Sequence, residues 1–330
     1  MPWKNESNPY YIWLSEIILQ QTRVEQGWKY YKAFIETFPT IQELAAAPEQ
    51  QVFKLWEGLG YYSRCRNLIA TAKKITAEHN GVFPHTYEAI LGLKGIGPYT
   101  AAAIASFAYN LPHAVLDGNV FRVLSRIHDV DLPVDTTEGK KHFAAIAQQQ
   151  LPKEKAGIYN QGIMDFGATI CKPVPLCVQC FFNDACLAFL QGKQASLPVK
   201  TKKLLVKERW FHYVILQYGS ETLIHQRLEK DIWQDLYEPL LIEGSRRLEK
   251  KEVLQQLAAV YSVHLEEAEV VSAAAHATQK LTHQTIHFSF IHLQSAIRPE
   301  VKGFFWVDRK EISHYAFPKT LQAFIAKNIL

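Results

Sequence analysis

The sequence has few of the features that mark secreted, membrane-spanning or disordered proteins. Its 330 residues include only five cysteines, too few for a disulfide scaffold in a chain of this length. The longest apolar run, at 101–109, is interrupted by Ser106 and is far shorter than the roughly 20 residues that a spanning helix requires. The first residues lack the basic and apolar segments of a secretory signal. We therefore expect a cytoplasmic protein with no membrane segment.

Basic and acidic residues are nearly balanced, with a formal net charge of +4, so the total charge does not by itself indicate a nucleic-acid partner. The excess lies in residues 193–209, which contain six basic residues and one acidic residue. This stretch includes Leu197-Pro198 and has no helical periodicity, as is typical of linkers. We expect one domain at 1–192, a basic linker at 193–209 and a second domain at 210–330.

The two expected domains differ in the periodicity of their apolar residues. Before residue 200, apolar residues recur at helical spacing, first from Ser15 to Phe38 and then in shorter stretches such as 49–56 and 87–91, with breaks rich in Gly and Pro between them. After the linker, the pattern predicts strands at 210–217, 222–226 and 284–293 and helices at 248–261 and 320–330. The sequence therefore predicts an all-α domain followed by a smaller α+β domain.

Four of the five cysteines are clustered in residues 171–186, as Cys171, Cys177, Cys180 and Cys186. Four thiolates so close in sequence are typical of a tetrahedral sulfur site, which can hold either a [4Fe-4S] cluster or zinc. Four buried apolar cysteines are the alternative, but chance rarely places four of five cysteines together. We expect metal ligation here.

A second motif is Gly95-Ile96-Gly97, which follows Lys94 and opens a predicted helix. Glycine lets an anion approach the backbone N–H groups at the positive end of a helix, where a Cβ would block it. The same pattern also fits a simple tight turn between two helices. As a helix-hairpin-helix element, it would bind DNA phosphates without reading the base sequence.

Residues 14–24, 56–64 and 116–120, together with the cysteine spacing, resemble the MutY family of adenine DNA glycosylases. The resemblance covers most of residues 2–190 and implies a helix-hairpin-helix glycosylase domain with an iron-sulfur module at 171–186. It also implies an enzyme of base excision repair that removes adenine opposite 8-oxoguanine or G, with water as the final nucleophile. The implied partner is double-stranded DNA carrying that mispair. The protein would act as a monomer at the bacterial nucleoid.

The resemblance implies roles for individual residues in base removal. Glu16 matches the general acid that protonates the adenine leaving group, and Asp117 matches the carboxylate that stabilises the positively charged sugar. Such chemistry needs one carboxyl group protonated at neutral pH and a second one ionised. The implied supporting residues of the adenine pocket are Tyr99, Asn119, Trp3 and Gln161.

Further residues match positions that bind DNA or the cofactor. Gln21 and Tyr61 match residues that wedge into the duplex. The expected phosphate contacts of the helix-hairpin-helix element are Lys94, Gly95 and Gly97. Arg64 begins a basic stretch with Arg66, Lys73 and Lys74 that is suited to phosphates, although such stretches are more often solvated surfaces. The four clustered cysteines match the ligands of a [4Fe-4S] cluster.

The C-terminal part resembles the Nudix-like domain that recognises 8-oxoguanine in this family. A Phe-Ser-His loop of the family appears here as Leu281-Thr282-His283, so Thr282 and His283 are the expected recognition residues. The sequence contains no hydrolytic Nudix motif, and nucleotide hydrolysis is not expected.

Two other functions fit parts of the sequence. An endonuclease III-like glycosylase and lyase has the same architecture and cluster, but it carries a Lys at the position of Tyr99, and Tyr cannot form the required imine. A non-catalytic protein that binds damaged DNA is the other alternative. The presence of both Glu16 and Asp117 argues against it.

Overall fold

The computed structural model describes residues 6–201, 206–265 and 268–330. Trp3 lies outside the described residues. The N-terminal part of the described chain is helical, and its helices follow one another in the order α1 (Pro9–Leu19), α2 (Val24–Thr37), α3 (Ile41–Ala46), α4 (Glu49–Trp56), α5 (Tyr62–Glu78), α6 (Tyr87–Leu91), α7 (Pro98–Tyr109), α8 (Gly118–Ile127), α9 (Thr137–Gln150), α10 (Ala156–Thr169) and α11 (Leu187–Leu190).

The first helical stretch is divided into two helices, although the apolar spacing predicted one stretch from Ser15 to Phe38. Helix α1 begins earlier, at Pro9, where proline occupies the first turn and the Asn8 side chain accepts a hydrogen bond from the backbone N–H of Tyr10. It ends before Gln21, whose φ of 59° is left-handed and incompatible with a continuing helix.

Within the described residues, the C-terminal part contains a sheet and two α-helices. Its elements follow in the order β1 (Lys207–Tyr218), β2 (Glu221–Gln226), β3 (Tyr237–Glu238), β4 (Leu240–Gly244), α12 (Lys250–Tyr261), β5 (Glu269–Lys280), β6 (Gln284–Gln294), β7 (Phe305–Asp308) and α13 (Lys319–Asn328). No helix of the described residues is both long and apolar enough to cross a membrane.

The chain divides into two compact units, and their boundary does not follow the order of the sequence. The first unit consists of residues 1–47 and 66–203. The second consists of residues 48–65 and 204–330, so it includes α4 and the first turn of α5.

In the first unit, α7 lies at the centre because it packs against α1, α6 and α10, and α10 in turn packs against α8. Buried alanines at 101–103 and 105 give α7 little side-chain bulk, which allows the close approach of its neighbours. A second group of apolar side chains, including Val120, Leu124 and Phe143, is buried between α7, α8 and α9. This packing brings the middle of α1 and the N-terminal ends of α7 and α8 to one region.

The end of the first unit includes residues that the sequence places in the linker. Leu197 is 5% exposed and its carbonyl accepts a hydrogen bond from Arg126. Val134 donates its backbone N–H to Val199 over 3.1 Å. Lys193 forms an ion pair of 2.6 Å with Asp129.

The second unit is built on a sheet in the order β3-β2-β1-β6-β5, with β4 paired to β1 and β7 paired to β2. Strands β1 and β6 run parallel to each other. Strand β4 pairs antiparallel with β1, and β5 pairs antiparallel with β6. Aliphatic residues of β1 and β4 pack with α12 in one core. Aromatic residues form another, in which Phe290 of β6 stacks at 4.4 Å on Phe324 of α13.

Candidate active site

The first unit contains a cavity of about 890 Å³, lined by residues of α1, the start of α2, α7, α10 and the residue before α8. Four residues that the sequence singled out lie in its wall: Glu16, Tyr99, Asp117 and Gln161. Gln21, at the left-handed turn after α1, also lines it. These residues are far apart in sequence, and the packing of α1 and α10 against α7 brings them together.

Glu16 lies in the middle of α1 and is 8% exposed. Burial raises its pKa to about 7, with a further increase from the charge of Asp117 and a partial decrease from a hydrogen bond with Tyr99. The pKa of Tyr99 is itself far above its ordinary value because of burial and the nearby carboxyl group of Glu16. Glu16 can therefore hold a proton at neutral pH and release it within the cavity.

Asp117 has a different environment, because it caps the N-terminal end of α8. Its Oδ1 accepts hydrogen bonds from the backbone N–H groups of Asn119 and Val120, at 2.9 and 2.8 Å. Its Oδ2 accepts a third hydrogen bond from Asn119 Nδ2 at 2.7 Å. The N-terminal end of a helix stabilises negative charge. Asp117 is thus held in one orientation as an acceptor, and it faces the same cavity as Glu16.

Sequence reasoning did not identify Arg122, one turn further along α8. Its Nη2 donates to Asn119 Oδ1 at 2.8 Å and to the carbonyl of Gly167 at 2.7 Å. Its Nε donates to the carbonyl of Cys171 at 2.7 Å. Arg122 therefore joins the residue that orients Asp117 to the first cysteine of the cluster. The sequence did contain a signal. Arg122 and Arg126 are four positions apart on one helix, and such residues lie on the same face, so both could have been expected to contact the same loop.

The four clustered cysteines line one small cavity together with Arg126, Ile127, Phe166 and neighbouring apolar residues. None of them is in a disulfide. Arg126 is 3% exposed and donates to the carbonyls of Lys172 and Pro173, at 2.7 and 3.0 Å. The part of the chain that the structure describes has no group of three or more His, Cys, Asp or Glu suited to a single metal ion.

The hairpin between α6 and α7 contains the glycines and lysine singled out above. Gly95 has a φ of 78°, and a Cβ at this position would lie 2.6 Å from Asn67 Cβ. Glycine is therefore required here by the turn itself. Gly97 precedes Pro98 as the N-cap of α7, and a Cβ there would meet nothing within 4 Å. Lys94 is exposed.

In the second unit, Tyr61 lies close to the turn between β5 and β6. The Tyr61 and Thr282 hydroxyl oxygens are 2.5 Å apart, and Tyr61 is 43% exposed. His283 is also exposed. Arg64, which we expected to contact phosphates, is only 8% exposed. Its guanidinium group packs over the rings of Trp56 and Tyr61, at 5.2 and 5.3 Å, so it supports these aromatic residues.

Two family models match this chain. Residues 14–153 match the HhH-GPD superfamily of base excision DNA repair proteins, and residues 212–327 match the NUDIX domain. These matches confirm the prediction of a helix-hairpin-helix glycosylase region followed by a Nudix-like region.

Characterised relatives are similar over much of the chain. An adenine DNA glycosylase of Buchnera aphidicola subsp. Baizongia pistaciae is 38% identical over 239 residues, which cover 72% of this chain and 68% of the relative. The human adenine DNA glycosylase is 39% identical over 207 residues, which cover 60% of this chain and 38% of the relative. The solved structure of a thermostable thymine-DNA glycosylase is 28% identical, with a TM-score of 0.54 over 58% of this chain and 88% of that one.

Proposed function

This chain belongs to the adenine DNA glycosylase family and is a DNA glycosylase of base excision repair, and we propose that it removes adenine paired with 8-oxoguanine or G. The observation that carries the proposal is that the buried Glu16 and the partly buried Asp117 line one cavity. The two carboxyl groups differ in environment, as glycosidic bond cleavage requires.

The proposed role of Glu16 is proton donation to the adenine base as the bond to the sugar breaks. Its pKa of about 7 leaves a large fraction protonated at physiological pH. Burial favours the protonated form, and the hydrogen bond with Tyr99 orients the carboxyl group. A base must leave the duplex stack to reach such a group.

Asp117 then stabilises the positive charge that develops on the sugar when the base departs. Its three hydrogen bonds hold the carboxylate in place, so little reorganisation is needed in the transition state. Water completes the reaction at the sugar. Tyr99 occupies the position where an amine nucleophile would be required for strand cleavage, and a phenol forms no imine. We therefore propose a monofunctional enzyme.

For the DNA complex, we propose that Gly97 and Lys94 contact phosphates and that Gln21 and Tyr61 enter the base stack. A left-handed backbone at both Gln21 and Tyr61 supports this role, since strained residues are frequent at functional sites. We propose that Thr282 and His283 recognise 8-oxoguanine through their exposed polar groups. The partner is double-stranded DNA, bound by a monomer at the bacterial nucleoid.

We also propose that Cys171, Cys177, Cys180 and Cys186 hold a [4Fe-4S] cluster. Support comes from the single cavity that all four line and from the absence of disulfides among them. A cluster has several iron atoms, so its four sulfur ligands need not converge on one point as around zinc. When bound, the cluster would fix the 171–186 loop against α8, where Arg122 and Arg126 already contact it.

The test is a single-turnover assay on duplexes containing A:8-oxoguanine, A:G, T:G and thymine glycol. We expect adenine release from the first two, with A:8-oxoguanine faster. Asp117→Asn should lower the rate at least about 100-fold while leaving duplex binding measurable. Iron and sulfide analysis of the purified protein should find about four of each per chain.

Other outcomes would favour the alternatives. Borohydride trapping of a covalent enzyme–DNA imine would indicate an endonuclease III-like lyase. Release of thymine from T:G would indicate the activity named for the thymine-DNA glycosylase with a similar structure. Tight binding of the mispair without release of any base would indicate a damage-binding protein.

A further inference from the structure

A cluster of hydrogen bonds joins the end of α4 to α13 and the segment before it within the second unit. Glu57 accepts a hydrogen bond from the backbone N–H of Phe317 at 2.8 Å and from Gln322 Nε2 at 2.6 Å. Lys54 donates to Glu57 Oε2 at 2.7 Å and to the carbonyl of Tyr315 at 3.1 Å. The Glu57 side chain is only 5% exposed. These residues tie the helix that precedes the Tyr61 loop to the C-terminal part of the chain.

The negative charge of Glu57 matters for this connection. Both of its carboxylate oxygens accept hydrogen bonds, and one of the donors is the cation of Lys54. A glutamine could still accept from Phe317, but its NH₂ group would face the donors of Lys54 and Gln322. A buried charged acceptor that loses its charge leaves several donors unpaired.

Glu57 and Tyr61 are joined by a short loop, 58–60, with a sharply turned backbone. Within it, Gly58 and Gly60 have φ values of 86° and 79°, and Tyr61 itself has a φ of 51°. The conformation of such a loop depends on what holds its ends. Glu57 anchors the first end of the loop. At the other end, the hydroxyl oxygen of Tyr61 lies 2.5 Å from that of Thr282. At the end of α4, Trp56 Nε1 also donates to the carbonyl of Gly60 at 3.0 Å. The loop therefore follows the position of α4, which Glu57 connects to Phe317 and Gln322.

We propose that Glu57 is a positioning residue for recognition of the base opposite the target adenine. It holds the Tyr61 loop on the C-terminal part of the second unit, so that Tyr61 and Thr282 form one preassembled surface for that base. This inference rests on the proposed function, because it concerns discrimination between 8-oxoguanine and G. The inference does not depend on the roles of Glu16 and Asp117 in base removal.

The experiment compares wild-type protein with Glu57→Gln. Single-turnover rates are measured on A:8-oxoguanine and A:G duplexes, and dissociation constants are measured on the same duplexes with a non-cleavable adenine analogue. We expect the preference for 8-oxoguanine to fall about tenfold in the variant, as for the loss of a charge-assisted hydrogen bond. The rate on A:G should change far less.

Three further variants separate positioning from general stability. Glu49→Gln removes one negative charge from the exposed first turn of the same helix and should leave the preference unchanged. The double variant Glu57→Gln with Gln322→Glu exchanges donor and acceptor and should restore part of the preference. If Glu57→Gln does not fold, Lys54→Met removes one donor and should lower the preference by about threefold.

Two results would overturn the inference. One is a Glu57→Gln variant with wild-type preference in both rate and binding. The other is an equal loss on both duplexes, which would indicate a structural role only. If wild-type protein releases no adenine, the proposed function fails, while the binding measurements still decide the role of Glu57.

Discussion

Replacing Glu16 with Gln should stabilise the folded protein, and increasingly so as the pH rises. Burial raises the pKa of Glu16 to about 7, against an ordinary value of 4.5. Between these values the folded state retains a proton that the unfolded state has lost. The stability of the wild-type protein therefore falls as the pH rises through this interval, and it stays lower above pH 7.

The difference between the two pKa values lowers the free energy of unfolding of the wild-type protein by about 3 kcal/mol at pH 8. About 2.5 kcal/mol of this loss develops between pH 5 and pH 8. The substituted glutamine would have nearly the same size as Glu16 and could still accept a hydrogen bond from Tyr99, but it has no charge to bury. The free energy of unfolding of the Glu16→Gln variant should thus exceed that of wild type by about 2.5 kcal/mol more at pH 8 than at pH 5.

The assay is urea-induced unfolding of both proteins at pH 5, 6, 7 and 8, monitored by circular dichroism. Glu25→Gln is the control, because Glu25 is exposed on α2 and its substitution removes the same charge. The free energy of unfolding of Glu25→Gln should differ from that of wild type by an amount that varies with pH by less than about 0.5 kcal/mol. In the excision assay, Glu16→Gln should bind the mispair but release no adenine.

A Glu16→Gln variant whose stability differs from wild type by the same amount at pH 5 and pH 8 would refute this reasoning. It would mean that Glu16 titrates alike in the folded and unfolded states. Unchanged excision by the same variant would refute its role as the acid, whatever the stability measurements show.

Three further predictions concern the cavity and the hairpin. Tyr99→Phe removes a hydrogen bond that lowers the pKa of Glu16; the alkaline decline of the excision rate should therefore move to higher pH in a pH–rate profile. Gly95→Ala should lower the free energy of unfolding by about 2 kcal/mol, because alanine is strained at this φ and its Cβ contacts Asn67. Gly97→Ala should lower the free energy of unfolding by less than about 1 kcal/mol. The same variant should bind undamaged duplex DNA more weakly than wild type in titrations at fixed salt.

The helices could be predicted from the sequence because helix caps and apolar spacing involve residues that are close together in the chain. The predicted bounds of α4 and α6 match the structure, since apolar spacing and, for α6, the Thr86 cap define these short helices. The strands were harder. Alanine-rich β5 has a composition that favours helix, and it is a strand because it pairs along its length with β6. Such pairing depends on tertiary context that a single sequence does not display.

The distribution of charge along the sequence did not show which arginines are buried. Arg64 belongs to a basic stretch that suggested phosphate binding, yet it is buried against aromatic rings. Arg209, counted in the basic linker, is 7% exposed and bonds to Asp231 and Glu243. Burial of an arginine depends on partners that are distant in sequence, and Asp231 is one of them. Lys94, by contrast, is exposed beside Gly95.

The two carboxyl groups of the cavity have different surroundings because of their positions on helices. Glu16 projects from the buried middle of α1, where the helix offers its side chain no free backbone N–H groups. Asp117 stands at the start of α8, where two such groups and Asn119 donate to it. The acid and the stabilising carboxylate of the proposed reaction are therefore specified by where each residue falls relative to a helix end.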